Sequence, residues 1–194
     1  MRLSVPRIPP LSDAELTADQ AKALEPYFWG NPGNIVRTLA QKPEALSRLT
    51  PWVSYFLSRL IDLPPRAKEI VILRTGFLCK SGYEWAHHAI VAVRAGLSED
   101  EIVRIKQGAG AGWSSAEAVL IQAVDELHRD YFISNVTWAE LRGHYSEIQC
   151  MDVVYTAAFY AQLSMILNTF GVQLEEGLHL DPDLDGGERV SRWS

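Results

Sequence analysis

The chain reads as all-α, a single-domain helical bundle, and three observations carry that expectation. Helix-opening signals recur: Ser12 to Glu15, Ser98 to Glu101, Ser114 to Glu117 and Thr137 to Glu140 each set a hydroxyl three residues before a carboxylate, the spacing of a capping box. Apolar residues follow the helical period, as in Ala67, Ile70, Val71, Phe77 and Leu78 and again in Leu120, Ile121, Val124 and Leu127, with no strand-type alternation in competition. The breaks at Gly30-Asn31-Pro32-Gly33, Pro64-Pro65, Ser81-Gly82, Gly96 and Gly108 to Gly112 are short enough to be helix-to-helix turns. About seven or eight helices follow from this count.

In chain order, Met1 to Leu11 carries three prolines and no apolar h-region, so it does not read as a secretory leader. The Ser12 box opens the first helix. Tyr27-Phe28-Trp29 reads as a packing anchor for the N-terminal segment, with cover of a pocket or interface as the second reading. A helix from Pro65, the Ser81-Gly82 turn and a second helix ending at Gly96 come next, and the boxes at Ser98, Ser114 and Thr137 open three more. Glu147 to Phe170 offers roughly six turns without Pro or Gly and stops at Gly171, which predicts the longest and most central helix. The Asp- and Gly-rich tail after Leu180 is expected on the surface or disordered.

With 194 residues, 47% of them hydrophobic, the chain can bury one core without staples. Its 18 Lys and Arg against 24 Asp and Glu leave a net charge of -6 with the positive charges dispersed, which argues against a nucleic-acid partner. Apolar runs such as Ala89 to Val93 and Tyr155 to Ala161 are shorter than the ~20 residues of a membrane span, so no membrane partner is expected. Cys79 and Cys150, 71 residues apart, suit neither a disulfide framework nor a C-x-x-C redox pair, and a cytoplasmic setting is the simplest.

The chemistry concentrates in Pro65 to Gly96. As helix, turn, helix, this stretch puts Ser81 near the start of the second helix and Glu84 and His88 one turn apart, so the three line one stripe. A carboxylate and an imidazole in reach of each other can pass protons, and an ordinary helix-stabilising pair has the same spacing. Tyr83, Trp85, His87 and His88 crowd large amphipathic side chains into one segment, as at a helix contact or at the wall of a pocket for a planar ligand. Glu69 lies on a helix whose inward positions are apolar. If it faces inward it needs a partner or a neutral state, and on the exposed face it has no special role. A Glu84, His88 and His128 set is the metal-binding alternative, but H-E-x-x-H is missing and no Cys or His cluster accompanies it, so neither metal nor cofactor is expected. His128, His144 and His179 read as helix-end or surface residues.

Pro64-Pro65-Arg66, Glu69, Tyr83-Glu84-Trp85-x-x-His88 and Ala95-Gly96-Leu97-Ser98 together resemble the carboxymuconolactone decarboxylase and alkyl hydroperoxidase D-like superfamily. Trp113-Ser114-x-Ala116-Glu117, Ala123-Val124-Asp125-Glu126-Leu127-His128 and Leu167-Asn168-Thr169-Phe170-Gly171-Val172 extend the resemblance over about residues 44–177. It implies an alkyl hydroperoxidase D-like bundle in three parts: an N-terminal extension over 1–40 packing on the core, a carboxymuconolactone decarboxylase-like helical domain over 41–177, and a tail over 178–194. It also implies a homo-oligomer, trimeric or hexameric.

Laid over this chain, the peroxidase pattern E-x(11)-C-x-x-C-x-x-x-H puts its Glu on Glu69 and its His on His88, but its cysteines on Ser81 and Glu84. A hydroxyl and a carboxylate cannot cycle through sulfenate and disulfide. The decarboxylase branch carries a Glu four residues before the His, as Glu84 and His88 do. The resemblance therefore implies cofactor-free proton transfer or decarboxylation, of lyase or isomerase type, on a small organic acid or lactone. Glu69, Glu84 and His88 would be catalytic, Tyr83, Trp85 and His87 the walls, and Ser81 a hydrogen-bond donor. Two rival expectations stand beside it: a peroxidase using Cys79 as a lone thiol, and a non-catalytic small-molecule binder or assembly subunit.

Overall fold

The computed structural model describes residues 3–27 and 32–185. Nine α-helices run through these residues with no strand: α1 (Ala18–Leu24), α2 (Asn34–Leu39), α3 (Pro43–Leu57), α4 (Pro65–Leu78), α5 (Gly82–Arg94), α6 (Glu99–Ile105), α7 (Ser115–Asp130), α8 (Asn135–His144) and α9 (Glu147–Phe170). The all-α expectation holds, and the one or two extra helices are the short α1 and α2 in the N-terminal part.

Helix α4 is the axis. Glu69 through Gly76 are all buried, and α4 packs against α5, α7 and α9. A helix covered all round shows no amphipathic stripe, which is why its interior is apolar on nearly every face. Helix α9 closes the bundle from the other side, ends at Gly171 in the left-handed region (φ 69°) and runs over the residues its lack of Pro and Gly predicts. Its length and composition would also suit a bilayer crossing, but 56% of its most apolar window is buried in the bundle, together with the polar Asp152, Thr156 and Ser164. Asp152 accepts hydrogen bonds from Tyr55 Oη and from the Asp62 and Leu63 amides, pinning the α3–α4 connection to α9.

The capping boxes fare unevenly. Ser98 and Glu101 close one at α6, and Ser114 caps α7. The Ser12 box closes only a 3₁₀ turn, Asp13–Glu15, because Leu16 returns to extended backbone; α1 starts from Thr17 with Gln20 as the reciprocal partner. Helix α8 starts earlier than Thr137, with Ser134 as its cap. Glu126, from α7, takes that start over: it accepts from the Ser134 amide at 2.7 Å and from Thr137 Oγ1 at 2.6 Å, so Thr137 is a buried third-position residue. Ser146 with Gln149 closes a further box at α9 that a search for acidic partners passes over.

Two ion-pair networks tie the long-range packing. Arg74, nearly buried, meets Asp125 with Nε–Oδ1 at 2.6 Å and Nη2–Oδ2 at 3.0 Å and donates to the Ile105 and Lys106 carbonyls. Arg66 joins Glu101 and Glu117 on α6 and α7. The acidic residues of the Ala123–His128 and Trp113–Glu117 motifs are therefore structural.

Candidate active site in the α3, α5 and α9 cavity

The α4–α5 turn sets the site. Lys80 takes a left-handed conformation (φ 54°) and the Ser81 amide donates to the Gly76 carbonyl, folding α5 back along α4 from its N-cap Ser81. Gly76 permits the close approach: a Cβ there would lie 3.4 Å from Glu84 Cβ. Glu84 and His88, one turn apart on α5, then face Glu69 on α4.

Glu69 faces inward, with 1% exposure, and its Oε2 lies 2.8 Å from His88 Nδ1. Lys68 Nζ, 3.7 Å from Glu69 Oε1, supplies a second charge partner. A carboxylate accepting at Nδ1 fixes the imidazole tautomer and leaves the Nε2 lone pair directed away. Glu84 Oε2 sits 3.5 Å from that Nε2. Burial pushes the Glu84 carboxyl upward, only partly opposed by His88 and His87 and reinforced by Glu69, so Glu84 holds its proton where ordinary carboxylates lose it. Tyr160, from α9, stands edge-on to the His88 ring with centroids 4.9 Å apart. Burial, with Glu84 and Glu69 nearby, holds the Tyr160 phenol well above its ordinary value, so it stays a neutral donor.

A second polar cluster adjoins the first. His87 stacks on Tyr83 at 4.2 Å, sets Nδ1 2.9 Å from the Tyr83 carbonyl and Nε2 2.9 Å from Glu175 Oε2. Both ring nitrogens face acceptors, which favours the cation. Burial works against that charge, but Glu175 and the Tyr83 carbonyl outweigh it and raise the His87 pKa. Glu175 Oε1 also accepts from Tyr83 Oη at 2.7 Å and the Asn34 amide at 2.6 Å. Burial alone would raise Glu175, yet His87, Tyr83 and Asn34 bring it down to about 2. A Cβ at Gly33 would lie 3.0 Å from Glu175 Oε1 and 3.1 Å from Tyr83 Oη, so a larger residue there would push on the knot.

Linkage gives the knot a pH signature. His87, raised above its ordinary 6.5, contributes stability that is complete below that value and lost as pH rises through the folded pKa. Glu175, depressed from 4.5, contributes stability that is complete above 4.5 and lost as pH falls toward 2. The melting-temperature difference between wild type and Glu175→Gln is therefore expected to be largest between about pH 5 and 6, to shrink as pH rises through the raised His87 pKa and to shrink as pH falls toward 2. A difference that is flat across this range would show that His87 and Glu175 are not coupled.

Both clusters open into a cavity of about 440 Å³. Tyr83, Glu84, His87, His88, Tyr160 and Glu175 supply its polar groups; Leu46, Leu49, Val53 and Leu57 of α3, Ile35, Val36 and Leu39 of α2, and Phe159 and Leu163 of α9 supply the rest of the wall with Tyr27 and Gly33.

Of the residues predicted from sequence, Glu84 and His88 line the cavity, Glu69 backs His88 from outside it, and Tyr83 and His87 form the wall. Trp85 and Ser81 do not. Trp85 points the other way, packed against Phe77 in the core with Lys106 Nζ 5.3 Å from its ring, because a residue one position after Glu84 lies about 100° round the helix. Ser81 is fully buried, its Oγ has no hydrogen-bond partner among the described residues, and it does not line the cavity. Tyr27 lines the cavity and is tied to Thr50 at 2.9 Å, while Phe28 and Trp29 fall outside the described residues. Tyr160 and Glu175 escaped sequence reasoning: Tyr160 reads as one more apolar residue of the longest helix, and Glu175 lies past the last motif. His128 does not join Glu84 and His88; its Nδ1 is 3.8 Å from Cys79 Sγ at the far end of α4, and neither lines the cavity.

Residues 55–126 match the carboxymuconolactone decarboxylase family. Three solved structures share the fold. The first is an uncharacterised peroxidase-related protein with an alkylhydroperoxidase AhpD core from Ralstonia eutropha JMP134, with 16% identity, 89% of this chain and 93% of that one covered, and a TM-score of 0.75. The second is a peroxidase-related protein from Silicibacter sp. TM1040, with 15% identity, 92% and 93% coverage and a TM-score of 0.72. The third is a cysteine-to-alanine variant of the debrominase Bmp8 in complex with 2,3,4-tribromopyrrole, with 13% identity, 87% and 91% coverage and a TM-score of 0.70. No curated protein matches the chain in sequence. Over residues 55–126 the chain resembles the carboxymuconolactone decarboxylase family, and its fold is the one seen in the alkylhydroperoxidase AhpD-core structure.

Proposed function

We propose that the chain catalyses cofactor-free proton transfer at carbon, of lyase or isomerase type, on a small carbonyl compound such as a lactone. The observation that carries this reading is the relay Glu69–His88–Glu84 at the wall of a cavity. His88, oriented by the Glu69 carboxylate, presents Nε2 as the base that takes a proton from carbon; Glu84, kept protonated by burial, is the acid that returns one at a second position. Tyr160 donates to the oxygen on which negative charge develops. Decarboxylation uses the same parts, with protonation of the dienolate as the acid's step.

The distribution of sulfur favours this chemistry over thiol peroxidation, since the cavity lining contains no cysteine. The debrominase of the same fold holds 2,3,4-tribromopyrrole, a ring compound, and a ring-sized substrate is in keeping with the volume here. The test is deuterium wash-in from D₂O, followed by NMR, on γ-lactones, cyclic enones and β,γ-unsaturated acids with wild type, Glu84→Gln and His88→Gln. Exchange on one class, lost in both variants, is expected. Exchange retained by the His88 variant would overturn the assignment.

A homo-oligomer belongs to the same proposal. Exposed Ile148, Met151, Tyr155 and Met165 share one face of α9 at coiled-coil spacing, an apolar stripe, with Tyr155 edge-on to Trp52, suited to a second copy of the chain. The double variant Ile148→Glu, Met165→Glu is expected to run at about 22 kDa in light scattering, against the mass of an oligomer for wild type; identical masses would exclude this face.

A further inference from the structure

We infer that the cavity takes a ligand that is uncharged when bound and elongated, with one hydrogen-bonding head at Glu84 and His88 and an apolar body along α3. This deepens the proton-transfer proposal and rests on it for the position of the head; it narrows the acid-or-lactone class to neutral carbonyl compounds with a hydrocarbon tail, and so leaves proton transfer rather than decarboxylation of a carboxylate as the reaction.

Charge disfavours an anionic ligand. Among the described residues, the lining contains no Lys or Arg, and its two basic side chains already have carboxylate partners: His87 has Glu175 at 2.9 Å and His88 has Glu69 at 2.8 Å. A carboxylate ligand would lose its hydration with no unmatched cation to receive it, and it would lie beside Glu175 as well. A lactone or enone carbonyl asks only for donors, and protonated Glu84 and the Tyr160 phenol are donors at that end.

Shape favours a long ligand. Leu46, Leu49, Val53 and Leu57 fall at i, i+3, i+7 and i+11 on α3, so the aliphatic stripe extends about 16 Å along the helix axis. The polar groups come from α5, from Tyr160 of α9 and from Glu175 beyond it, and none comes from the α3 stripe. A single lactone ring covers about a third of that stripe, and the remainder is matched by a hydrocarbon chain. Leu57, 70% exposed, marks the end of the stripe at which the tail meets solvent.

Isothermal titration with three probes tests the inference. γ-Decalactone has a neutral head and a six-carbon tail, decanoate has the same number of heavy atoms with a charged head, and γ-butyrolactone has the head alone. At pH 7.5, γ-decalactone is expected to bind at least tenfold more tightly than decanoate and a hundredfold or more tightly than γ-butyrolactone. Decanoate equal to or better than γ-decalactone overturns the charge argument, and γ-butyrolactone within tenfold of γ-decalactone overturns the shape argument. Val53→Trp fills the wall at a half-buried position and is expected to weaken γ-decalactone at least tenfold; unchanged affinity in a variant that melts like wild type places the ligand elsewhere and overturns the proposal. The proton-transfer reading fails separately. If γ-decalactone binds as expected and no neutral carbonyl compound shows His88-dependent exchange, the ligand class stands and the catalytic role falls.

Discussion

Replacing His88 with Gln is expected to lower turnover about 10²- to 10⁴-fold, the usual contribution of a positioned acid or base, while leaving the melting temperature within a few degrees of wild type. Gln can offer an amide N–H toward Glu69 in place of the bond His88 Nδ1 makes at 2.8 Å, and the edge contact with Tyr160 is the main packing lost. What Gln cannot do is accept a proton from carbon at neutral pH. The loss is expected to fall on kcat more than on binding, because Glu84 and Tyr160 still donate to the head of a neutral ligand. Glu84→Gln makes a matching case. Folded Glu84 is neutral where the unfolded residue is ionised, so above pH 4.5 it costs stability, and the cost grows until its raised pKa is passed. The Gln variant, neutral in both states, is expected to melt at or above wild type at pH 8 while inactive. A large fall in melting temperature for either variant would assign these residues to packing.

Asp125→Ala is expected to show the opposite pattern: about 3 kcal/mol of stability lost, or a melting temperature lower by ~6–12 °C, with turnover per folded molecule retained. Arg74 is 8% exposed and its fork is matched by the two Asp125 oxygens; without them the guanidinium keeps only the Ile105 and Lys106 carbonyls. Removing one partner leaves a buried charge uncompensated, which costs more than the pair contributes when intact. Asp125 is partly exposed, which places the loss at the lower end of the range for buried pairs. Asp125→Asn keeps a single acceptor and is expected to fall between the two. A loss under 1 kcal/mol for Asp125→Ala, measured by denaturant titration, would show that water replaces the carboxylate.

The legibility of the site follows from how its residues are connected. Glu84 and His88 share a helix, so a fixed four-residue offset places them together whatever the rest of the chain does. Glu69 joins them across a single turn, and its register survives because α4 and α5 are neighbours in sequence as well as in space. Trp85 and Ser81 belong to the same stretch, yet one looks into the core and the other is sealed at the turn; local crowding of aromatic side chains does not say which side of a helix faces a hollow.

Helix content, the limits of α9, the α4–turn–α5 hairpin and the Glu84–His88 pair were determined by the amino-acid sequence alone, because caps, breaks and the 3.6-residue period act within a few residues. The cavity, the aliphatic stripe of α3 that lines it, the Tyr160 edge over His88 and the Glu175 knot were decided by tertiary structure. The Tyr160 edge and the Glu175 knot join residues between about 70 and 140 positions apart, and nothing local encodes which distant side chain will fill the space beside a helix once the bundle closes.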